Sequence, residues 1–201
     1  MQINYTNNYQ FNTRISLEGN KLECIEQIRL LGVEMNDDLS WKSNTDSITK
    51  KAFGRMTLLR KLVGFGIPRK DLVLIYILFI RSKLEYCSEV SHSTITQEEI
   101  EDLDRVQKCA VRVIMGEDYE GYEEALLSLE LEDLSIRREN MCLSFAKKCL
   151  SNSLTKAWFP KNPQGVYYLR NPETFDIMLA HTERFKQSTI PYLQRLLNEN
   201  P

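Results

Sequence analysis

The residues best suited to chemistry in this sequence are cations that could meet a polyanion. Lys50, Gly54, Thr57 and Lys61 share one face if the chain around them is helical, and Lys51 and Arg55 flank that face. Bases at both ends with small residues between them would let a helix lie close against a nucleic-acid backbone. Phosphate contacts of that kind give affinity without reading sequence. A second row, Arg105, Lys108 and Arg112, is spaced i, i+3 and i+7. Acids stand close to it, and Glu101 with Arg105 and Asp104 with Lys108 would make an ordinary solvated helix face. That plainer reading is preferred for the second row. For the first row, with hardly an acid within reach, both readings stay open.

Other constellations carry less. His92 and His181 are the only histidines and lie far apart without a metal-ligand pattern, so no metal site is expected and surface or core histidines are the better reading. Cys24, Cys87, Cys109, Cys142 and Cys149 are odd in number and widely spaced among mostly apolar neighbours, which points to reduced core thiols. A Cys–His nucleophile pair would have to be assembled across the fold, and no catalytic residue is assigned. Tyr119, Tyr122, Tyr167 and Tyr168 have rings that could stack on bases, but packing aromatics are the commoner use. Arg137 and Arg138, beside Glu139, read as a helix face making ion pairs.

Charge is distributed in blocks although the net formal charge is only −2. Residues 42–83 hold ten Lys or Arg against Asp46 and Asp71, whereas residues 84–133 hold fifteen acids against Arg105, Lys108 and Arg112. Such a chain has two electrostatic faces, of which only the basic one could meet phosphate. The longest apolar run, Leu72 to Ile80, is far short of the roughly 20 residues that span a bilayer. The amino terminus reads as polar, without a signal peptide, so no membrane partner and an intracellular site, nuclear or cytoplasmic, are expected.

The elements that must position these residues follow from periodicity. Arg14–Leu17 and Lys21–Ile25 alternate as strands, with Gly19-Asn20 as their turn. A third run, Ile28 to Met35, contains Gly32, which suggests a bulge or a close backbone approach. Asp37-Asp38 reads as a turn into a helix. Beyond it, Ile48, Ala52, Met56, Leu59 and Val63 form the stripe of an amphipathic helix that Gly64 and Gly66 end. Pro68 opens a second helix to about Tyr86, apolar on nearly every face and so expected in the middle of a bundle. Thr96-x-x-Glu99 is a capping box for a third helix, with Ile100, Leu103, Val106, Ala110 and Val113 as its buried stripe and Gly116 as its end. Helices over 122–129 and 134–150 should follow. Beyond Ser151 the chain should be mostly extended between its prolines, with a short helix near 191–197.

The expected fold is therefore mainly α: a small amino-terminal β-hairpin segment (1–41), a helical bundle (42–116), and a helical, partly irregular carboxy-terminal extension (117–201). Several of its pieces together resemble the region after the palm in non-LTR (LINE, jockey-type) retrotransposon reverse transcriptases. The likeness runs through Leu30-Leu31-Gly32-Val33, Asp38-Leu39-Ser40-Trp41, Lys51-Ala52 and Arg55. It continues with Leu72-x-x-Ile75-Tyr76 and Ile80-Arg81-Ser82-x-Leu84-Glu85-Tyr86, then Leu103-x-x-Val106-Gln107-Lys108-x-Ala110 and Tyr119-x-x-Tyr122-x-x-Ala125-Leu126. Leu134-x-x-Arg137-Arg138, Phe145-Ala146-x-Lys148 and the stretch from Arg184 to Leu193 complete it, so that it covers nearly the whole chain. Single pieces are weak; their order and spacing are specific. One departure is Val90-Ser91, where such sequences often carry Val-Trp.

The resemblance implies a thumb-like bundle that clamps an RNA–DNA hybrid or another primer–template duplex behind a polymerase active site. It turns the first cation row toward function and makes Leu31, Gly32 and Val33 similar to the hairpin that supports a primer's 3′ end, where Gly32 would let backbone amides approach a sugar-phosphate chain. Without the family, a plain edge-strand bulge is preferred there. Family polymerases hold two Mg2+ ions on palm aspartates. Asp37-Asp38, the only Asp-Asp pair, follows the Leu-Gly-Val strand rather than preceding it, so the catalytic turn would lie upstream and no cofactor is expected in this chain. The chain alone is predicted not to polymerise, and magnesium-dependent primer extension by it would refute that; a separate palm is a conceivable partner. Two other readings compete. An element-derived protein–protein interaction module would use the acidic stretches 98–104 and 117–124. A non-functional relic would expose unpaired strand edges, and its aggregation would be cured by deleting residues 1–36.

Overall fold

The computed structural model describes residues 16–21, 25–161 and 175–200. Short antiparallel pairs come first: β1 (Ser16–Leu17) with β2 (Asn20–Lys21), and β3 (Gln27–Leu30) with β4 (Val33–Asn36), in which Leu30 faces Val33 and Gln27 faces Asn36. The run from Ile28 to Met35 is thus a hairpin and not one bulged strand. Leu31 and Gly32 both have positive φ, 49° and 88°, and make a two-residue turn whose twist suits the flanking strands. Ile28, Leu30, Val33 and Met35 alternate correctly in either arrangement, so the pattern alone could not tell them apart. Of the expected first hairpin, residues 14, 15 and 22–24 lie outside the described part.

Helices make up most of the rest. They are α1 (Lys42–Gly64), α2 (Arg69–Ile75), α3 (Ser82–Leu84), α4 (Ser88–Ser91), α5 (Gln97–Met115), α6 (Tyr122–Ser128), α7 (Leu134–Ser151), α8 (Glu183–Lys186) and α9 (Thr189–Glu199). A π-helical segment, Tyr76–Arg81, joins α2 to α3, giving one continuous rod over residues 69–84. Local signals explain the boundaries. Asp38 turns the chain toward α1 by accepting the Ser40 amide at 2.8 Å, a bond that holds its carboxyl below the usual carboxylate range. Gly66 (φ 72°) releases the end of α1, and Pro68 caps α2. The capping box closes on both sides: Thr96 Oγ1 accepts the Glu99 amide at 3.3 Å, and Glu99 Oε2 accepts the Thr96 amide at 2.7 Å. Gly116, at φ 60°, ends α5.

Lys42, at the start of α1, meets Glu98 and Asp102 at the start of α5, so the two helices run parallel and the rod returns between their ends. Arg69 opens the rod beside the end of α5, with its guanidinium 2.6 Å from Asp118. The buried stripes interlock: Ala52, Met56 and Leu59 of α1, Leu72, Tyr76, Ile80 and Leu84 of the rod, and Leu103, Val106, Ala110 and Ile114 of α5. Ala125 and Leu126 of α6 join the same cluster, which extends to Leu134. Val63 proves exposed, and Leu62 packs in its place. A second cluster forms where α7 meets α9: Cys142, Ala146 and Cys149 against Leu193, Leu196 and Leu197, with Phe159 added. The helix expected near 191–197 is therefore longer, because its apolar side walls a core of its own.

The rod is not the central helix its composition suggests. Leu74, Leu78 and Phe79 are half exposed, since the bundle offers partners on one side only. No described helix is long and apolar enough to cross a membrane.

Candidate nucleic-acid interface

The face of α1 opposite its buried stripe carries Lys50, Gly54, Thr57 and Lys61, all exposed. Helical spacing puts them there: the stripe Ala52, Met56 and Leu59 fixes the inward direction, and these residues lie half a turn away. A Cβ added at Gly54 would meet nothing within 4 Å, so the backbone there lies open to a close approach. Asp46 is the only acid within α1, and its carboxylate is held by Lys42 at 3.2 Å. The result is a row of positive charge with small residues between its ends.

Lys51 and Arg55, which flank this row, also make contacts within the fold. Lys51 Nζ donates to Ser47 Oγ at 2.7 Å and lies 3.9 Å from the Glu34 carboxylate of β4. Ser47 Oγ also donates to Glu34 at 2.8 Å, and the Glu34 amide donates to Asn44 Oδ1 at 3.2 Å, so this group of polar contacts fastens the hairpin to α1. The Arg55 guanidinium donates to the carbonyl of Phe79, inside the π segment. Arg55 thus ties the middle of α1 to the π segment of the rod.

The hairpin tip occupies the far end of the rod. Leu31 is 84% exposed, and its carbonyl accepts the Tyr86 hydroxyl at 2.6 Å. A Cβ on Gly32 would come within 3.6 Å of the Tyr86 ring, an ordinary contact, so glycine is favoured there by its φ and not by space. What approaches Gly32 in the molecule is Tyr86. Val33 begins β4 and is half-buried.

On α5 every cation of the second row has a partner within the chain. Arg105 lies 2.9 Å from Asp102, Lys108 sits over the Tyr122 ring at 5.4 Å, and Arg112 over the Tyr119 ring at 5.0 Å. The pairs weighed from the sequence, Glu101–Arg105 and Asp104–Lys108, are replaced by one neighbouring acid and two aromatic faces. Tyr122 in turn donates to Asp133 at 3.2 Å, and burial with that acidic neighbour raises its phenol above the usual value. Tyr167 and Tyr168 lie outside the described residues.

The ion pairs expected of Arg137 form, with Glu85 and Glu132, but Arg138 is not on a solvated face. Arg138 is 3% exposed, and its guanidinium donates to the Leu84 carbonyl and, at 3.4 Å, to Ser91 Oγ. Glu85 lies between Arg81, 3.3 Å away, and Arg137, which donates to it. These contacts tie the end of the rod to α7 and thereby join the two apolar clusters. Ser91 is buried against Arg138. His92 packs edge-on to Tyr192 of α9, and burial together with Arg138 pushes its imidazole down to about 4. His181 is exposed. Cys87, Cys109, Cys142 and Cys149 are free thiols, and burial pushes Cys142 up to about 12. Arg138 could have been suspected from one signal only, its place four residues before Cys142 on the apolar side of α7.

Among the described residues no group of three or more His, Cys, Asp or Glu could hold a metal ion. No protein-family model, no curated protein and no solved structure matches the chain.

Proposed function

We propose that this chain is the thumb and downstream part of a non-LTR retrotransposon reverse transcriptase, and that the outer face of α1 holds the backbone of a template–primer duplex without reading its sequence. The observation that carries the reading is the open row of Lys50 and Lys61 with Gly54 and Thr57 between them, on a helix whose single acid is already paired. Phosphate needs accessible donors with no competing anion, and this face offers them.

A second support is spatial. Separate pieces of the resemblance meet in the fold: Glu85 and Leu84 of one motif receive Arg137 and Arg138 of another, and Tyr86 receives the Leu-Gly turn of a third. Motifs far apart in sequence would be kept in order and spacing if they hold one another. In this reading Lys51 and Arg55 position the gripping helix, and the hairpin tip at Leu31, Gly32 and Val33 lies beside the rod as a primer-supporting element.

The test is fluorescence anisotropy of the purified chain with a short RNA–DNA hybrid across salt concentrations. Binding should weaken with a log–log slope of about −2, as a few phosphate contacts require. A folded, monodisperse sample that shows no binding at low salt would overturn the proposal.

A further inference from the structure

Two exposed faces that the nucleic-acid reading does not use have opposite chemistries. On the rod, Leu74, Leu78 and Phe79 are 53%, 56% and 50% exposed. Lys70 precedes Leu74 by one turn and Lys83 follows Phe79 by one turn, both in solvent, so the apolar strip has a lysine at each end. On α6, Leu127 is 82% exposed; Glu123 lies one turn before it and Glu130 shortly after, both exposed. Ala125 and Leu126 bury the opposite side of α6, which turns Leu127 outward. Contiguous apolar side chains such as those of the rod mark a contact site, and on α6 it is the acids about Leu127 that suit the lysines of the strip.

Charge selects the occupant. Strip against strip would bring the lysines of two copies together, and α6 against α6 would oppose glutamates. Strip against α6 covers Leu127 with leucine and phenylalanine and sets carboxylates beside ammonium groups. We propose that two copies of this chain associate head to tail, the rod of one seated on α6 of the next. Such a contact is heterologous: each copy retains a free strip or a free α6 face, so association continues beyond the dimer unless the rotation closes a ring. Lys50 and Lys61 take no part, and the inference stands independently of the duplex reading.

Sedimentation velocity of the full chain tests it. At about 100 µM and low salt the weight-average mass should exceed the monomer, and raising salt to about 0.5 M should weaken association at least tenfold. One variant, Leu78→Asn with Phe79→Asn, removes the strip; a second, Glu123→Lys with Leu127→Lys, removes the α6 face. Each should be monomeric alone. Mixed in equal amounts they should form a dimer and nothing larger, because one variant supplies the strip and the other supplies α6. A monomeric wild type, association that survives in either variant, or a mixture of folded variants that stays monomeric would each overturn the proposal. Hybrid binding by the Leu78→Asn, Phe79→Asn variant, which leaves the charge of the chain as it is, should be unchanged, which separates this contact from the duplex face.

Discussion

Two helices of one bundle, α1 and α5, carry cations at helical spacing and treat them in opposite ways. On α5 the row Arg105, Lys108 and Arg112 is taken up by Asp102, Tyr122 and Tyr119. On α1 the outermost lysines, Lys50 and Lys61, stay in solvent while their neighbours Lys51 and Arg55 are drawn into the fold. The difference is one of supply. The segment after α5 is rich in acids and folds back as α6 to offer aromatic faces, whereas α1 has a single acid, which Lys42 holds. A charge is available to a ligand only when the chain near it, in space as well as in sequence, offers nothing better.

Arg138 is the extreme case of a cation consumed by the fold, and removing it should have the largest effect. Arg138→Ala leaves the Leu84 carbonyl and Ser91 without their donor and opens a cavity between the two apolar clusters. The expected loss is about 3 kcal/mol, read from urea unfolding. A variant as stable as the wild type would show that the cluster does not join the two cores.

Beside it, His92 tests whether the same crevice admits a second cation. Burial and Arg138 hold its pKa at about 4 in the folded chain, against 6.5 in the unfolded one. As pH falls below 6.5 the unfolded state therefore takes up the proton first, so stability declines toward about pH 4 and levels off below it. The full contribution is at most on the order of 3 kcal/mol. In His92→Asn this part of the pH dependence should vanish; equal slopes for wild type and variant between those limits would count against it.

The contrast between α1 and α5 has its most direct test in binding. Lys50→Glu with Lys61→Glu should weaken RNA–DNA hybrid affinity at least about tenfold at low salt and flatten the salt slope, with stability changed by less than about 0.5 kcal/mol. The matched change on α5, Arg105→Glu with Arg112→Glu, should leave affinity within about twofold. If the α5 pair mattered more than the α1 pair, the assignment of the duplex face would be wrong.

Much of this was legible in the residues. The stripe of α1, the capping box at Thr96 and Glu99, and the glycines that end α1 and α5 are local signals, and each marks the element it should. What escaped depends on contacts across the fold. The π segment lies in a run apolar on every side, which has no period to read, and Arg55 reaches it from another helix. The Leu31-Gly32 turn lacks the Asn or Asp that usually precedes glycine there, and its positive φ at Leu31 goes with the Tyr86 hydroxyl bound to the Leu31 carbonyl. The cation row of the candidate site was visible as spacing. Which of its members stay free was not, because Glu34 and Phe79 reach Lys51 and Arg55 only once the hairpin and the rod are in place.

The smallest effect belongs to Arg112, and it decides whether an aromatic face is a real competitor for a cation. Arg112 is exposed, and Tyr119 lies 5.0 Å from its guanidinium carbon. A solvated cation–π contact contributes about 0.5–1 kcal/mol. Arg112→Gln keeps the length and helix propensity of the side chain while removing its charge, so it should lower stability by about that amount and leave hybrid binding alone. Tyr119→Leu should cost a similar amount, and in the double variant the second change should add little, because the pair has already been broken. Additive losses would mean that arginine and ring do not interact, and that Arg112 is as free to meet phosphate as Lys50 and Lys61. The division between the two helices would then have to rest on Arg105 and Lys108 alone.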